Sequence, residues 1–265
     1  MNTAPPRATP MTAKQTGTVY LVPAPLDFGC ATTAPLTDVM PDGTLRVAAT
    51  LRHWVCESAK TTRSYLKRIG EIHPLPCALQ ELHLQELPRE VHKQGDHQGS
   101  FDARHLLQPA LAGADIGLVS EAGMPAIADP GSSVVRAAHE LGLTVVPLVG
   151  PVSLLLALAA SGLNGQNFAF VGYVPSTPAE RIKRLQELES LALKTGQTQL
   201  FIETPYRNTA LLQALLQTLQ HNTRLATSSG LTLAGACCHS DLVKHWKHKA
   251  WSLDNAVPTV FAIGR

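Results

Sequence analysis

Short, almost wholly apolar runs recur along the first half of the chain. They lie at 18–22, 53–56 and 115–119, and such runs are typical of strands buried on both faces in a parallel sheet. A further run at 46–50 is also predicted to be a strand. Between these runs, apolar residues of 57–69 recur at helical spacing. The pattern predicts alternating strands and helices, which is the order that α/β folds require.

The clearest unit of this pattern follows the run at 115–119. A helix is predicted over 132–141, with Ser132 or Ser133 as its N-cap, and a strand over 144–148. A strand, a helix and a strand joined by short loops form a βαβ unit, whose two strands are parallel. We therefore expect a parallel sheet in the first half of the chain.

The second half mixes helices with strands that can form antiparallel hairpins. Thr177, Pro178 and Glu180 form a capping-box pattern with proline at the first helical position, which predicts the start of a helix. Further elements are predicted at 168–174, 198–202, 207–219, 224–226, 231–236 and 259–263. The predicted fold class is α/β, divided into a flexible tail at 1–16, an α/β domain with a parallel sheet at 17–151, and a mixed α/β domain at 152–265.

Composition and charge narrow the class of protein. Apolar residues make up 45% of the chain and charged residues 16%, as in globular rather than disordered proteins. The formal net charge is only +2, so contact with nucleic acid must rest on a local basic patch. The longest apolar run, 152–160, is too short to span a bilayer.

The cysteines favour a reduced, cytoplasmic protein. There are five, none in a C-x-x-C pair, and no secretory signal is recognised. Cys237 and Cys238, together with His239, His245 and His248, suggest a metal-ligand set. Adjacent residues of a strand point to opposite faces, which suits one ligand at most. This stretch is therefore interpreted as a strand followed by a basic turn, and no metal is predicted.

Three loops rich in glycine and proline follow predicted strands, at 23–29, 121–131 and 150–153. In open parallel sheets, ligands bind beyond the carboxyl ends of the strands, so these loops are expected to share one binding site. Glycine lets backbone N–H groups approach a ligand, and proline fixes the shape of a loop. The motifs G-x-x-x-x-G-K-[ST] and G-x-G-x-x-G are absent, which disfavours a nucleoside triphosphate or a Rossmann dinucleotide.

Four segments give the chain a specific resemblance. They read GTVYLVPAPL, GLVSEAGMPAIADPGSSVVRAAHELGLTVVPLVGPVSLLLALAASGL, FAFVGYVP and LFIETPYR, in this order. In sequence and spacing they resemble the tetrapyrrole methylase superfamily, and within it most closely the RsmI-type small-subunit rRNA 2′-O-ribose methyltransferases. The resemblance runs from Gly17 to Arg265. It implies two α/β domains with S-adenosylmethionine (SAM) bound in the cleft between them, and a homodimer.

The resemblance also implies which residues bind the cofactor. It puts Pro25 in the first SAM loop, and Val152 and Ser153 in contact with SAM after the Gly-Pro turn of the third loop. Glu203 matches a position of the second domain that lies close to the cofactor. The second loop contributes residues around the methionyl and ribose parts of SAM, with Glu121 beside them: Ala122, Gly123, Met124, Pro125 and Ile127.

The motifs expected to face the methyl acceptor match the family less well than the SAM loops. The family's D-A-G-T-P is EAGMP here, and its E-D-T-R run is ESAK, with Glu57 and Lys60 at the acidic and basic ends. SAM binding is therefore better supported than an rRNA acceptor. Two alternatives stay open: a methyltransferase of a small molecule such as a tetrapyrrole, and a non-catalytic SAM- or RNA-binding protein.

Methyl transfer to a ribose hydroxyl is helped by a nearby base, because the hydroxyl is a weak nucleophile. Glu203 and Glu57 are the predicted catalytic carboxylates, and Asp27 and Glu121 are further candidates. Each of these acids also has a purely structural interpretation, as a loop acid or a first-turn helix acid. Lys60 is predicted to orient the acceptor or to contact a phosphate.

Basic and aromatic residues are the predicted contacts to RNA. Tyr173 and Tyr206 can stack on bases. The side chains suited to phosphate groups are Arg181, Lys183, Arg184, Arg207, Lys244, Lys247 and Lys249. The alternative for the stretch 181–184 is the solvated face of an amphipathic helix.

Overall fold

The computed structural model describes residues 15–88, 90–91, 101–248 and 251–265. Most of the predicted tail and the basic residue Lys249 lie outside the described residues. The described strands form two five-stranded sheets with helices packed against them, which confirms the predicted α/β fold class. The strands of the first sheet lie within 18–147 and those of the second within 168–264, whereas the predicted domain boundary itself stays a prediction.

The first sheet is parallel throughout, with the strand order β3-β2-β4-β1-β5. Its strands are β1 (Thr18–Leu21), β2 (His53–Cys56), β3 (His83–Glu86), β4 (Ile116–Val119) and β5 (Thr144–Pro147). All four residues of β4 are buried, because β4 is the central strand and is covered on both faces. The predicted parallel sheet is therefore confirmed.

The segment 46–50, predicted to be a strand, is instead the end of a helix that spans Asp42–Thr50. Leu45, Ala48 and Ala49 are its buried apolar residues, and they recur three and four positions apart. A strand over 46–50 would exclude Leu45, which lies on the same buried face of the helix as Ala48 and Ala49.

The helices beside the first sheet whose bounds lie wholly within the described residues are α1 (Leu36–Val39), α2 (Asp42–Thr50), α3 (Ala59–Gly70), α4 (Gln108–Leu111) and α5 (Ser132–Glu140). The N-cap of α5 is Gly131, rather than Ser132 or Ser133 as predicted. Gly131 has a φ of 133°, a conformation that an L side chain rarely adopts. The chain therefore turns into α5 through glycine, and both serines already belong to the helix.

The second sheet has the strand order β6-β7-β10-β8-β9, in which β6 and β7 are parallel and the other pairs antiparallel. Its strands are β6 (Phe168–Tyr173), β7 (Thr198–Ile202), β8 (Arg224–Ser229), β9 (Cys237–Leu242) and β10 (Thr259–Gly264). Its helices are α6 (Ser153–Ser161), α7 (Pro178–Thr195), α8 (Asn208–Thr218) and α9 (Val243–Trp246). Leu158 and Phe201 belong to buried clusters of this half of the chain.

Two predicted details of this half are wrong. The segment 231–236 is a pair of turns rather than a strand, and Thr232 has a φ of 72°, which no extended strand residue adopts. Thr177 is the N-cap of α7, but its side chain makes no capping hydrogen bond. The Arg181 side chain instead donates to the carbonyls of Pro175 and Ser176, so the start of α7 is fixed by arginine.

The two adjacent cysteines lie on β9, at the edge of the second sheet, and the strand leads into the short helix α9. All five cysteines are free thiols. In the part of the chain that the structure describes, no three His, Cys, Asp or Glu side chains are grouped as metal ligands would be. None of the helices described has the length and apolar character needed to cross a membrane.

Candidate functional site

A cavity of about 440 Å³ lies where loops of the first sheet meet loops of the second. The loops after β1, β2 and β4 line one side. The ends of β6 and β7, the start of α6 and the segments beside β10 line the other side. Because helices cover the faces of the first sheet, the carboxyl ends of its strands are left as the place where a ligand can enter.

Nine of the residues predicted for the site line this cavity: Glu57, Glu121, Ala122, Gly123, Met124, Ile127, Val152, Ser153 and Glu203. Three do not line it. Pro25 and Pro125 are buried within their loops, and Lys60 is exposed near the start of α3. The structure thus brings together residues that are up to 146 positions apart in the chain, from Glu57 to Glu203.

The loops after β1 and β4 are held together by their backbones. Ala24 and Gly123 exchange two N–H···O bonds of 2.9 Å, which form an isolated antiparallel bridge. Gly123 has a φ of 68°, and a Cβ atom added there would lie 3.3 Å from Cδ2 of Leu26. The backbone conformation therefore favours glycine at this position, and an added Cβ would also press on the Leu26 side chain.

The loop after β4 also contains two alanines in the left-handed region. Ala126 and Ala128 both have a φ of 66°, which is uncommon for residues that carry a Cβ atom. They flank Ile127, whose side chain lines the cavity. Backbone strain of this kind persists only where the surrounding structure imposes it, and it concentrates at functional sites. Ile127 and Asp129, on either side of Ala128, both line the cavity.

Three carboxylates line the cavity on the side of the first sheet. The Glu121 N–H donates to Oε2 of Glu57 at 3.4 Å, and the Thr61 hydroxyl donates to Oε1 of Glu121 at 3.3 Å. Asp129 lies beside them, and burial, followed by repulsion from Glu57 and Glu121, raises its pKa to about 7. Sequence reasoning did not include Asp129 in the site. The sequence feature that could have indicated it is an acidic residue in the same Gly- and Pro-rich loop as Glu121.

Glu203 follows β7 and closes the cavity from the second sheet. Glu203 is only 5% exposed. Oε1 accepts hydrogen bonds from the backbone N–H and hydroxyl of Thr204, at 2.8 and 3.1 Å, and pairs with Arg207 at 3.3 Å. Oε2 is buried and has no hydrogen-bond partner among the described residues. Such an atom is costly unless a bound molecule supplies a donor.

Two exposed tyrosines belong to the second half of the chain, one lining the cavity and one directly after the lining residue Pro205. Tyr173, at the end of β6, lines the cavity and is 60% exposed. Burial on its cavity side, and then the carboxylates of Asp129 and Glu203, raise its pKa. Tyr206 is 68% exposed, and the Arg207 guanidinium lies 5.2 Å from the centroid of its ring. Both tyrosines are therefore accessible, as a base-stacking role requires.

Asp27, a further candidate for the base, is engaged elsewhere. It does not line this cavity, and its carboxylate accepts a hydrogen bond of 3.0 Å from Arg68, whose Nη2 also donates to the carbonyl of Ala34 at 2.7 Å. This arrangement ties the loop after β1 to α3, so the structural interpretation of Asp27 fits the geometry. Its neighbour Phe28 does line the cavity.

Several predicted phosphate contacts are used within the fold. Arg184 pairs with Glu187 at 3.4 Å, and Lys244 donates to Asn222 at 3.2 Å. With the two carbonyl bonds of Arg181, this agrees with the interpretation of 181–184 as the polar face of a helix. None of these basic side chains lines the cavity.

Comparison with known proteins now defines the family. The model for Tetrapyrrole (Corrin/Porphyrin) Methylases matches residues 44–236. The chain belongs to the tetrapyrrole methylase family. The matched region includes the whole loop after β4 and cavity residues from both sheets, so the family resemblance of the sequence is confirmed.

Related tetrapyrrole methylases share a name. The protein called Ribosomal RNA small subunit methyltransferase I in Pseudomonas aeruginosa is 33% identical over 191 residues, which are 72% of this chain and 58% of that protein. Proteins of the same name in Bacillus subtilis and Vibrio cholerae are 30% identical over 203 residues and 36% identical over 137 residues. These matches cover 77% and 52% of this chain. The chain spans 46–60% of the length of these curated relatives.

Solved structures of another tetrapyrrole methylase share the fold. Two structures of uroporphyrin-III-C-methyltransferase from Thermus thermophilus match with TM-scores of 0.51 and 0.52, at 18% and 15% sequence identity. Each match covers 94% of this chain, and 94% and 98% of the respective structures. At such low identity, the likeness shows the fold alone.

Proposed function

We propose that this chain is a SAM-dependent methyltransferase whose acceptor is a ribose hydroxyl of ribosomal RNA. The observation that carries the proposal is the single cavity lined by all three Gly- and Pro-rich loops, on which the family resemblance puts SAM. The names of the matching relatives support rRNA of the small subunit as the acceptor. The same acceptor suggests a cytoplasmic protein, and the resemblance suggests a homodimer.

The residues present fit SAM. The volume of about 440 Å³ falls within the roughly 300–1,000 Å³ of small-molecule sites. Gly123 lines the cavity, and the unpartnered Oε2 of Glu203 can accept a hydrogen bond from an N–H or O–H group of SAM. The residues proposed to hold the cofactor are Glu121, Ala122, Gly123, Met124, Ile127, Val152, Ser153 and Glu203, with Pro25 and Pro125 fixing the loops behind them.

SAM supplies, when bound, a methyl group on a positively charged sulfur that an oxygen nucleophile can displace. The chain would align the acceptor with that group, exclude water and remove the hydroxyl proton. Asp129 is the cavity carboxylate best suited to accept this proton, because its pKa of about 7 is close to a neutral working pH. Glu57 and Glu203 are the two alternatives for this task. Lys60, exposed on α3, is proposed to contact a phosphate outside the cavity.

The charge of the cavity favours RNA over an acidic tetrapyrrole. Its charged lining residues are carboxylates, which would repel the carboxylate groups of such a small molecule. A ribose hydroxyl carries no charge, and Tyr173 and Tyr206 offer exposed rings on which its base can stack. The phosphates of the RNA would then remain outside, where the basic side chains lie.

Calorimetric titration with SAM tests the cofactor. The native chain should bind about one SAM, and Gly123→Val should lose binding because a β-branched residue cannot keep the loop conformation. Gly165→Val is the matched control, since a Cβ atom there meets nothing within 4 Å. No binding by the native chain would refute the proposal.

Transfer of labelled methyl groups tests the acceptor. Small ribosomal subunits from a strain that lacks the corresponding gene should be labelled at a ribose, whereas large subunits should not. SAM binding without transfer to any RNA or tetrapyrrole would favour a non-catalytic binding protein. Transfer to a tetrapyrrole alone would favour the small-molecule alternative.

A further inference from the structure

Helix α3 carries a row of positive charge on its exposed face. The row, which we call the basic row, consists of Lys60, Arg63 and Lys67, and all three residues are exposed. They lie three and four positions apart, so they share one face of the helix. The buried residues of α3 form the opposite face: Thr62, Tyr65, Leu66 and Ile69. At the rise of an α-helix, the row extends over about 10 Å.

No acidic residue balances the basic row. The segment 59–70 contains no Asp or Glu, and the three side chains form no ion pair or hydrogen bond with any residue that the structure describes. Arg68, the other cation of the helix, differs because it pairs with Asp27 at 3.0 Å. On α7, by contrast, acidic residues are interspersed with the basic ones, and Arg184 pairs with Glu187.

The stability of the helix does not explain this arrangement. The amino end of a helix carries a partial positive charge, so a cation there is unfavourable. Lys60 is the second residue of α3, and the first turn has no acid. Arg63 and Lys67 are like charges four positions apart, which also destabilise a helix, although Lys67 is favourably placed in the last turn. A negatively charged partner along the row would offset both repulsions.

The exposed face of α3 is connected to the cavity. Ser64 lies on the same face as Lys60, four positions away, and lines a second hollow of about 210 Å³. This hollow shares Phe28, Gly29 and Glu121 with the larger cavity. A polymer that lies along the basic row is therefore in position to extend into the cavity.

We infer from these observations that α3 binds the phosphate backbone of the acceptor RNA through Lys60, Arg63 and Lys67. The inference rests on the proposed function, and it extends the phosphate contact proposed for Lys60 to a whole helical face. An RNA strand carries a negative charge at every nucleotide, so it can pair with cations spaced along a helix. Contacts of this kind position a strand without reading its sequence.

RNA fits this surface better than an acidic protein does. The cavity that the row leads to is lined by carboxylates, which would repel the side chains of an acidic polypeptide. A nucleoside brings no charge into the cavity, because the charge of RNA lies on the phosphates outside. The row and the cavity thus match the two chemically different parts of one nucleotide chain.

Fluorescence anisotropy with a labelled single-stranded RNA of mixed sequence tests the inference on the full chain. Each phosphate contact to a single strand contributes about fivefold to the affinity at 0.1 M salt, relative to 1 M salt. Arg63→Gln and Lys67→Gln should therefore each weaken binding about fivefold, and both together roughly 25-fold. Glutamine forms helices as well as lysine and arginine do, so the variants should stay folded, which circular dichroism checks.

The matched control is Lys194→Gln, which removes one positive charge from an exposed position in the last turn of α7. Because this variant leaves the basic row intact, its affinity for RNA should differ from that of the native chain by less than about twofold. Calorimetric titration with SAM should give the same affinity for the native chain and for all variants, since none of the substituted residues lines the cavity.

Methyl transfer to small ribosomal subunits provides a second measurement. The α3 variants should raise the KM for subunits about fivefold each and change kcat by less than about twofold, because the basic row binds the acceptor without touching the reacting atoms. This division between KM and kcat distinguishes a binding surface from general damage to the enzyme.

Four results would overturn the inference while leaving the proposed function intact. They are unchanged RNA affinity in the α3 variants, an equal loss in Lys194→Gln, an unchanged KM for subunits, and competition by poly-glutamate as effective as that by unlabelled RNA. The last of these would favour an acidic protein as the partner. A native chain that binds SAM but neither binds nor methylates RNA would refute the RNA acceptor and the inference together.

Discussion

Replacing Asp129 with asparagine should stabilise the chain at alkaline pH. The folded chain holds the Asp129 proton up to a pKa of about 7, whereas the unfolded chain releases it near the ordinary value of 3.8. The contribution of Asp129 to the free energy of unfolding therefore falls as the pH rises from 3.8 to about 7, and stays level above that range. Each tenfold change in the acid dissociation constant is worth about 1.4 kcal/mol. Without solvent screening, the rise of the Asp129 pKa from 3.8 to about 7 would therefore lower the free energy of unfolding by roughly 4 kcal/mol. Solvent screening of this half-buried group reduces it to about 2 kcal/mol.

Urea unfolding at pH 5 and pH 8.5 measures the effect. The amide introduced by Asp129→Asn cannot ionise, so this variant should exceed the native chain by about 2 kcal/mol at pH 8.5 and by less than about 1 kcal/mol at pH 5. Asp102→Asn is the control of opposite sign: hydrogen bonds from Arg104 lower the pKa of Asp102 to about 2, so this variant gains nothing at pH 8.5. An equal gain at both pH values, or a loss at pH 8.5, would refute the electrostatic reasoning.

Three further predictions concern packing and buried hydrogen bonds. Gly117→Ala should cost about 1–3 kcal/mol in urea unfolding, because the new Cβ would lie 2.5 Å from the ring of Trp54; unchanged stability would contradict this. Asn208→Ala should lower the free energy of unfolding by about 1–3 kcal/mol, because the buried Nδ2 of Asn208 donates to three oxygens of the segment 254–259. Part of that segment lines the cavity, so calorimetry of this variant should also show weaker SAM binding. Glu189→Ala should cost about 1–3 kcal/mol by removing the acceptor of the buried Thr223 hydroxyl, whereas the exposed Glu187→Ala should change stability by under about 0.5 kcal/mol.

Local sequence patterns predicted an interior strand of each sheet. The four residues of β4 leave no polar face, as a strand buried on both faces requires, and the strand predicted at 198–202 is β7, four of whose five residues are buried. The helix α7 was marked by proline at its first position. Predictions were wrong where the backbone conformation differed from what the residue types favour. Thr232 has a left-handed φ, which is incompatible with the predicted strand, and Gly131 rather than Ser132 or Ser133 is the N-cap of α5.

The candidate site was predictable as a set of loops but not as a set of charges. Glycine and proline after buried strands marked the loops at 121–131 and 150–153, since parallel topology brings such loops to one edge. The effect of Glu57 on Asp129 depends on a contact across two neighbouring strands, and no local pattern reports it. The raised pKa of Asp129 likewise follows from burial beyond its own loop.

The enclosed carboxylates also leave the remaining surface more basic than the chain as a whole. With the four lining acids set aside, 16 acidic side chains stand against 22 Lys and Arg. The salt dependence of binding should therefore differ between RNA and SAM, the two ligands that we propose. Exposed charges are screened over about 10 Å at 0.1 M salt, and polyanion binding falls steeply as counterions compete. Buried pairs respond far less, so raising the ionic strength should release RNA while the cofactor stays bound.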